Sequence, residues 1–181
     1  MRYIAFLRAI NVGGHNVKMD ALLKLFQALE FSNVETFIAS GNVIFETRVA
    51  DAPAVERQIE QHLHATLGYK VPTILRTPSQ LARIASYQPF PPDLLSVEGS
   101  SLYIAFLQAT PDPSLEQRLA ALRTPVDEFH LHGREIYWFC LTRLSESLVS
   151  GPQFEKTIGA PSTLRNSTTV QKLAAKYPAR E

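Results

Sequence analysis

Tyr3-Ile4-Ala5-Phe6-Leu7-Arg8-Ala9 returns one hundred residues later as Tyr103-Ile104-Ala105-Phe106-Leu107-Gln108-Ala109. Only the charged position changes, Arg8 becoming Gln108. The stretch is β-branched, aromatic and apolar almost without interruption, which predicts a strand buried on both faces. A buried strand written twice predicts two copies of one architecture.

After the first copy comes Asn11-Val12-Gly13-Gly14-His15-Asn16, whose glycines and asparagines tolerate positive φ and predict a tight loop. Leu22, Leu25, Phe26 and Leu29 then recur at helical spacing, predicting a helix over Met19 to Glu30 with Asn16 or Asp20 as cap. Residues 34–46 read as a hairpin with Ser40-Gly41-Asn42 at its turn. Asp51 and Pro53 open a second helix and Gly68 stops it. Lys70 to Arg76 reads as a fourth strand. Strand, helix, strand, strand, helix, strand is the order of the ferredoxin-like plait.

A short helix near 79–86 and a proline-rich stretch, 88–93, follow, the latter incompatible with regular structure. Beyond it the pattern repeats. Leu115, Leu119 and Leu122 mark a helix, and Val126–Tyr137 aligns with Val34–Phe45 when glycine is set on glycine. The eight residues missing from the second copy are assigned to its loop and first helix. Ser162 to Thr169 reads as a polar approach to a final helix, and no fourth strand is evident in the second half. The expected fold is therefore α+β, with two tandem ferredoxin-like (α-β plait) subdomains arising from an internal duplication. The first spans 1–86, a linker 87–100, and the second, with a C-terminal helix, 101–181.

The totals narrow the function classes. The chain of 181 residues is 45% apolar, enough for a real core. A formal net charge of +1 gives no strong field for nucleic acid or membrane. A single cysteine, Cys140, excludes an internal disulfide and a cysteine-rich metal site and suits a reducing compartment. No apolar run has membrane-spanning length, so the expected location is the cytoplasm.

Arg8-Ala9-Ile10-Asn11-Val12-Gly13-Gly14, Lys18-Met19, Ser40-Gly41-Asn42-Val43, and Arg165-Asn166 with Thr169-Val170 and Lys172-Leu173 resemble the bacterial family filed as domain of unknown function 1697. The resemblance runs over nearly the whole chain and implies two ferredoxin-like subdomains. It brings no activity with it. Members often carry tryptophan after the Arg-Asn pair, where this chain has Ser167.

In a plait, the end of strand one, the start of the first helix and the turn between strands two and three share one sheet edge. Arg8, Asn11, Gly13, Gly14, Lys18, Ser40, Gly41 and Asn42 are expected to gather there. A glycine loop entering a helix offers free backbone N–H groups and the positive end of the helix dipole. With Arg8 and Lys18 this outlines an anion site. Arg165 and Asn166, ahead of the last helix, are a second candidate anion-contacting element. The loop matches neither the Walker nor the dinucleotide fingerprint, so no cofactor is expected. His130 and His132 alternate on a strand without further ligands and read as exposed strand histidines, so no metal is expected. His15 is the histidine placed for acid–base work, and Cys140 reads as inert core.

The leading expectation is binding of a small anionic or phosphate-bearing ligand at this edge. The alternatives are an enzyme using His15 beside the pocket, a protein-interaction or structural module, and RNA binding. RNA binding ranks last because the aromatics of strands one and three read as core. No membrane partner is expected.

Overall fold

The computed structural model describes residues 1–38 and 41–179. The chain divides into two compact units, Met1–Ala82 with the residues from Lys176 onward, and Arg83–Ala175.

The first unit contains β1 (Arg2–Leu7), α1 (Met19–Gln27), β2 (Ser32–Phe37), β3 (Asn42–Glu46), α2 (Ala52–Leu67) and β4 (Thr73–Arg76). Its strands lie in the order β2-β3-β1-β4, every neighbouring pair antiparallel. This is the connectivity of an α-β plait. Tyr3, Ala5, Leu7, Val43, Phe45 and Leu75 meet Leu22 and Phe26 of α1 and Val55, Ile59 and Leu63 of α2 in one core. Phe31 stacks on Phe45 at 4.3 Å. Each of the buried Val, Leu, Ile and Phe side chains contributes about 1.5–3 kcal/mol by leaving water. Ile4 and Phe6, on the opposite face of β1, are equally buried, as an unbroken apolar strand requires.

The local signals explain the helix ends. Asp51 accepts a hydrogen bond from the Ala54 amide, and Gly68 closes α2 at φ +83°. α1 behaves differently from expectation. It stops at Gln27, and its N-cap is Lys18, with no side-chain oxygen bound to its first turn. Neither Asn16 nor Asp20 caps it.

After β4 the chain passes through α3 (Pro78–Ser86) and a single helical turn, α4 (Pro92–Leu95). The proline-rich stretch thus carries a turn of helix at its end, because Pro92 suits a first turn.

The second unit contains β5 (Ser101–Leu107), α5 (Leu115–Leu122), β6 (Asp127–His132), β7 (Glu135–Cys140), α6 (Gly151–Ile158), β8 (Ser162–Asn166) and α7 (Ser167–Lys176). Its order is β6-β7-β5-β8, again antiparallel throughout. The expected polar approach to the last helix is therefore the fourth strand. Ile104 pairs with Arg165 as Ile4 pairs with Arg76. The core joins Phe129, Trp138 and Phe154 under α5 and α6.

Register corrects the alignment of the two halves. Ile4 pairs with Ile44 and Ile104 with Tyr137, so the third strands differ by 93, not 92. Glu35 and His130 oppose those same residues, so the second strands differ by 95. Five of the first half's extra residues lie between strands one and two. Two more lie in the hairpin turn, where residues 38–41 stand against Gly133-Arg134 alone. Matching glycine to glycine hid this, because Gly41 and Gly133 occupy different turn positions.

Candidate ligand-binding edge of the first unit

The end of β1 and the β2–β3 turn, where the extra residues fall, share one sheet edge. The Leu7 amide donates to the Gly41 carbonyl at 2.9 Å, which ties the end of β1 to the β2–β3 turn. Gly41 has φ +77°, and a Cβ there would lie 2.8 Å from Ile10 Cγ2 and 3.2 Å from Leu7 Cβ. Only glycine allows that approach. Asn42 is fully buried and donates from Nδ2 to the Phe37 carbonyl at 2.9 Å. It holds the turn and does not face solvent. Ser40 lies outside the described residues.

Past Leu7, the Arg8 amide donates to the Pro72 carbonyl at 2.9 Å, and Ala9 turns the chain outward at φ +55°. The Arg8 side chain is half-buried. Asn11 Oδ1 accepts from the Val17 amide at 2.7 Å, closing the loop on itself. Gly13 and Gly14, both at positive φ, have open space where a Cβ would stand. Lys18 is exposed and begins α1. The edge therefore presents Arg8, Asn11, Gly13, Gly14 and Lys18, with Gly41 and Asn42 fixing its shape. Asp20, in the first turn of α1, offsets part of the positive charge.

Tyr69 is the residue of this edge that sequence reasoning missed. Its hydroxyl donates to the Ile10 carbonyl at 3.0 Å, and its ring stacks on His15 at 3.6 Å and 16°. His15 is thus positioned against a fixed ring. The one signal was an aromatic directly after the cap glycine, Gly68. Val12 and Ile38 add exposed apolar surface on the glycine loop and the hairpin turn, and Ile38 adopts φ +60°, a rare strain for a β-branched residue.

The remaining candidates lie in the second unit. Arg165 is buried in β8 and donates from Nη1 to Thr163 Oγ1 at 2.7 Å and to the Leu164 carbonyl at 2.9 Å. Burial lowers its guanidinium to about 10, which leaves it charged at neutral pH. Asn166 Oδ1 accepts from the Thr168 amide at 2.8 Å, at the start of α7. His130 and His132 share a face, but His130 is not simply exposed. It is half-buried, 2.9 Å from the Tyr87 hydroxyl, while His132 stacks on the same ring at 4.0 Å. Cys140 is buried. Tyr3, Phe6, Phe45, Phe106 and Tyr137 are also buried, so base stacking on those rings requires uncovering them.

Among the described residues, no helix is long and apolar enough to cross a membrane, and no three His, Cys, Asp or Glu side chains gather as a metal site. The conserved bacterial protein SP0830 from Streptococcus pneumoniae has a similar solved structure, with a TM-score of 0.69 over 97% of each chain at 21% identity. That likeness concerns the fold alone. No curated protein matches the chain. The family described as Protein of unknown function (DUF1697) matches residues 1–137, a span that takes in the glycine loop and both hairpin turns but leaves out the Arg165-Asn166 segment. The chain belongs to that DUF1697 family.

Proposed function

We propose that this protein, built of two ferredoxin-like units, binds a small anionic or phosphate-bearing ligand at the glycine-loop edge of the first unit. The observation that carries the reading is the placement of the extra residues. The extra residues follow β1 and lengthen the β2–β3 turn, two stretches that the Leu7 to Gly41 hydrogen bond brings to one edge, as the Leu107 to Arg134 bond does for the shorter stretches of the second half. Loops carry sites while paired strands carry packing. Arg8 and Lys18 supply charge, and the Gly13-Gly14 backbone and the Asn11 amide supply donors. Arg165 and Asn166 work within β8 and at α7, and the reading does not depend on them.

The test is thermal unfolding with phosphate, pyrophosphate and nucleotides, on wild type and Arg8→Ala. Binding to the folded state raises the midpoint by mass action. A saturable rise in wild type, weakened at least about tenfold in the variant, is expected, since hydrogen bonds to charged groups contribute roughly 1.5–3 kcal/mol. No rise, or equal rises in both proteins, overturns the reading. A second reading, acid–base catalysis by His15, is favoured by its stacking on Tyr69. It fails if His15→Ala retains any turnover found.

A further inference from the structure

Where β5 ends, α6 ends and β8 begins, the second unit holds a groove of about 360 Å³, near the lower limit of small-molecule pockets. Leu107, Ile158, Ala160 and Pro161 wall it, and Asp112 and Arg118 stand in its lining. The same corner of the first unit, where β1 ends, α2 ends and β4 begins, carries an aromatic ring. There the residue after the cap glycine is Tyr69, which stacks on His15 and is bonded to Ile10. In the second unit the residue after the cap glycine Gly159 is Ala160, and the lining contains no aromatic ring. The two copies of this corner thus differ by that ring.

Two opposite charges are fixed in the second unit's copy through one serine. Asp112 Oδ1 accepts from the Ser114 amide at 2.8 Å and from the Ser114 hydroxyl. Arg118 donates from Nε to the Thr157 carbonyl at 3.0 Å and from Nη1 to Ser114 Oγ. Both side chains are exposed and both stand in the lining of the groove, an acceptor and a donor held about the same serine. Gln108, in the same lining, is fixed by Arg134, which donates from Nη1 to its carbonyl at 3.0 Å.

We infer that this groove binds a small zwitterion of the α-amino-acid type, its carboxylate on Arg118 Nη2, its ammonium on Asp112 Oδ2, and its side chain against Ile158 and Pro161. Charge-assisted hydrogen bonds to both ends are the strong kind, and a ligand with one charge gains only half of them. The inference is independent of the first-unit reading.

The experiment is isothermal titration of the full chain with a panel of free L-amino acids, and with acetate and methylammonium as half-ligands. At least one amino acid is expected to saturate with a Kd of about 1 mM or tighter, equivalent to roughly −4 kcal/mol. The half-ligands, Asp112→Asn and Arg118→Gln are each expected to bind at least about tenfold more weakly. Ala160→Tyr, which puts a ring where the first unit has Tyr69, should abolish binding without moving the unfolding midpoint. Absence of saturable amino-acid binding in wild type overturns the inference, and so does acetate binding as tightly as any amino acid. If Ala160→Tyr does not fold, Asp112→Asn decides, and unchanged affinity in that variant overturns it.

Discussion

Asp127 is fully buried yet completely satisfied. Its carboxylate accepts from Trp138 Nε1 at 2.9 Å, Ser147 Oγ at 2.6 Å, Thr124 Oγ1 at 2.6 Å and the Leu148 amide at 3.1 Å. Burial pushes this carboxyl up, but those hydrogen bonds outweigh it and hold it below its ordinary value of 3.8. A carboxyl with a lowered folded pKa stabilises above its unfolded value and loses that contribution as pH falls through the folded one. Asp127→Asn sets an amide N–H against a ring of donors. It should cost about 1–3 kcal/mol or more, a fall of roughly 2–12 °C in Tm for a chain of this size. Its remaining stability should change less below pH 4 than that of wild type. Trp138 is the only tryptophan and is buried, so its emission follows this unit directly. His130 acts in the same direction in a higher window. Burial lowers its pKa below 6.5, the neighbouring His132 and Arg123 lower it further, and Glu116 opposes them. Unfolded histidine holds its proton more readily, so stability should fall as pH drops below about 6.5, and His130→Gln should flatten that slope in a Tm against pH series. Tyr87, whose hydroxyl lies on His130, can donate to the neutral ring or accept from the protonated one.

Elements differ in how plainly the sequence announces them. β1 and β5 were legible because a strand covered on both faces has no freedom to be polar. α2 was legible because Asp51 and Gly68 mark both ends by side-chain chemistry and by a left-handed backbone. β8 was not. Ser-Thr-Leu-Arg-Asn pairs on one side only, with β5, and an edge strand needs no alternating apolar pattern. Its signal lay in the repeat of Leu75-Arg76 as Leu164-Arg165, which becomes visible once register is known. The candidate edge was half legible. Composition flagged the glycine loop, while Tyr69, whose role depends on where α2 delivers it, could not be read. Gly41 sets a test at this scale. Gly41→Ala combines a left-handed φ with a Cβ 2.8 Å from Ile10 and should cost about 1–3 kcal/mol. Gly14→Ala has the φ but no collision and should cost less. Chemical denaturation of both variants checks the order.

At the scale of the whole chain, the two halves share element order, strand order and the pairing of their central strands, and they differ in turns. The carbonyl that receives the Leu7 amide belongs to Gly41, and the one that receives the Leu107 amide belongs to Arg134. The second half therefore demonstrates that this hairpin closes with two residues in place of four. Replacing residues 38–41 with Gly-Arg should preserve far-UV circular dichroism and shift Tm by only a few degrees, while removing the anion-dependent rise proposed for the first unit. A shortened turn that keeps the full ligand response separates that response from the inserted residues and counts against the proposed site. One further consequence follows from α2. Glu60 and Glu56 accept from the amides of Thr73 and Leu75, each at 2.8 Å, the donors that β4 turns away from β1. A neighbouring molecule trying to lengthen this sheet past β4 finds its docking amides already taken. Filament growth by that route should begin only when Glu56→Ala and Glu60→Ala are made together, which light scattering during concentration would reveal.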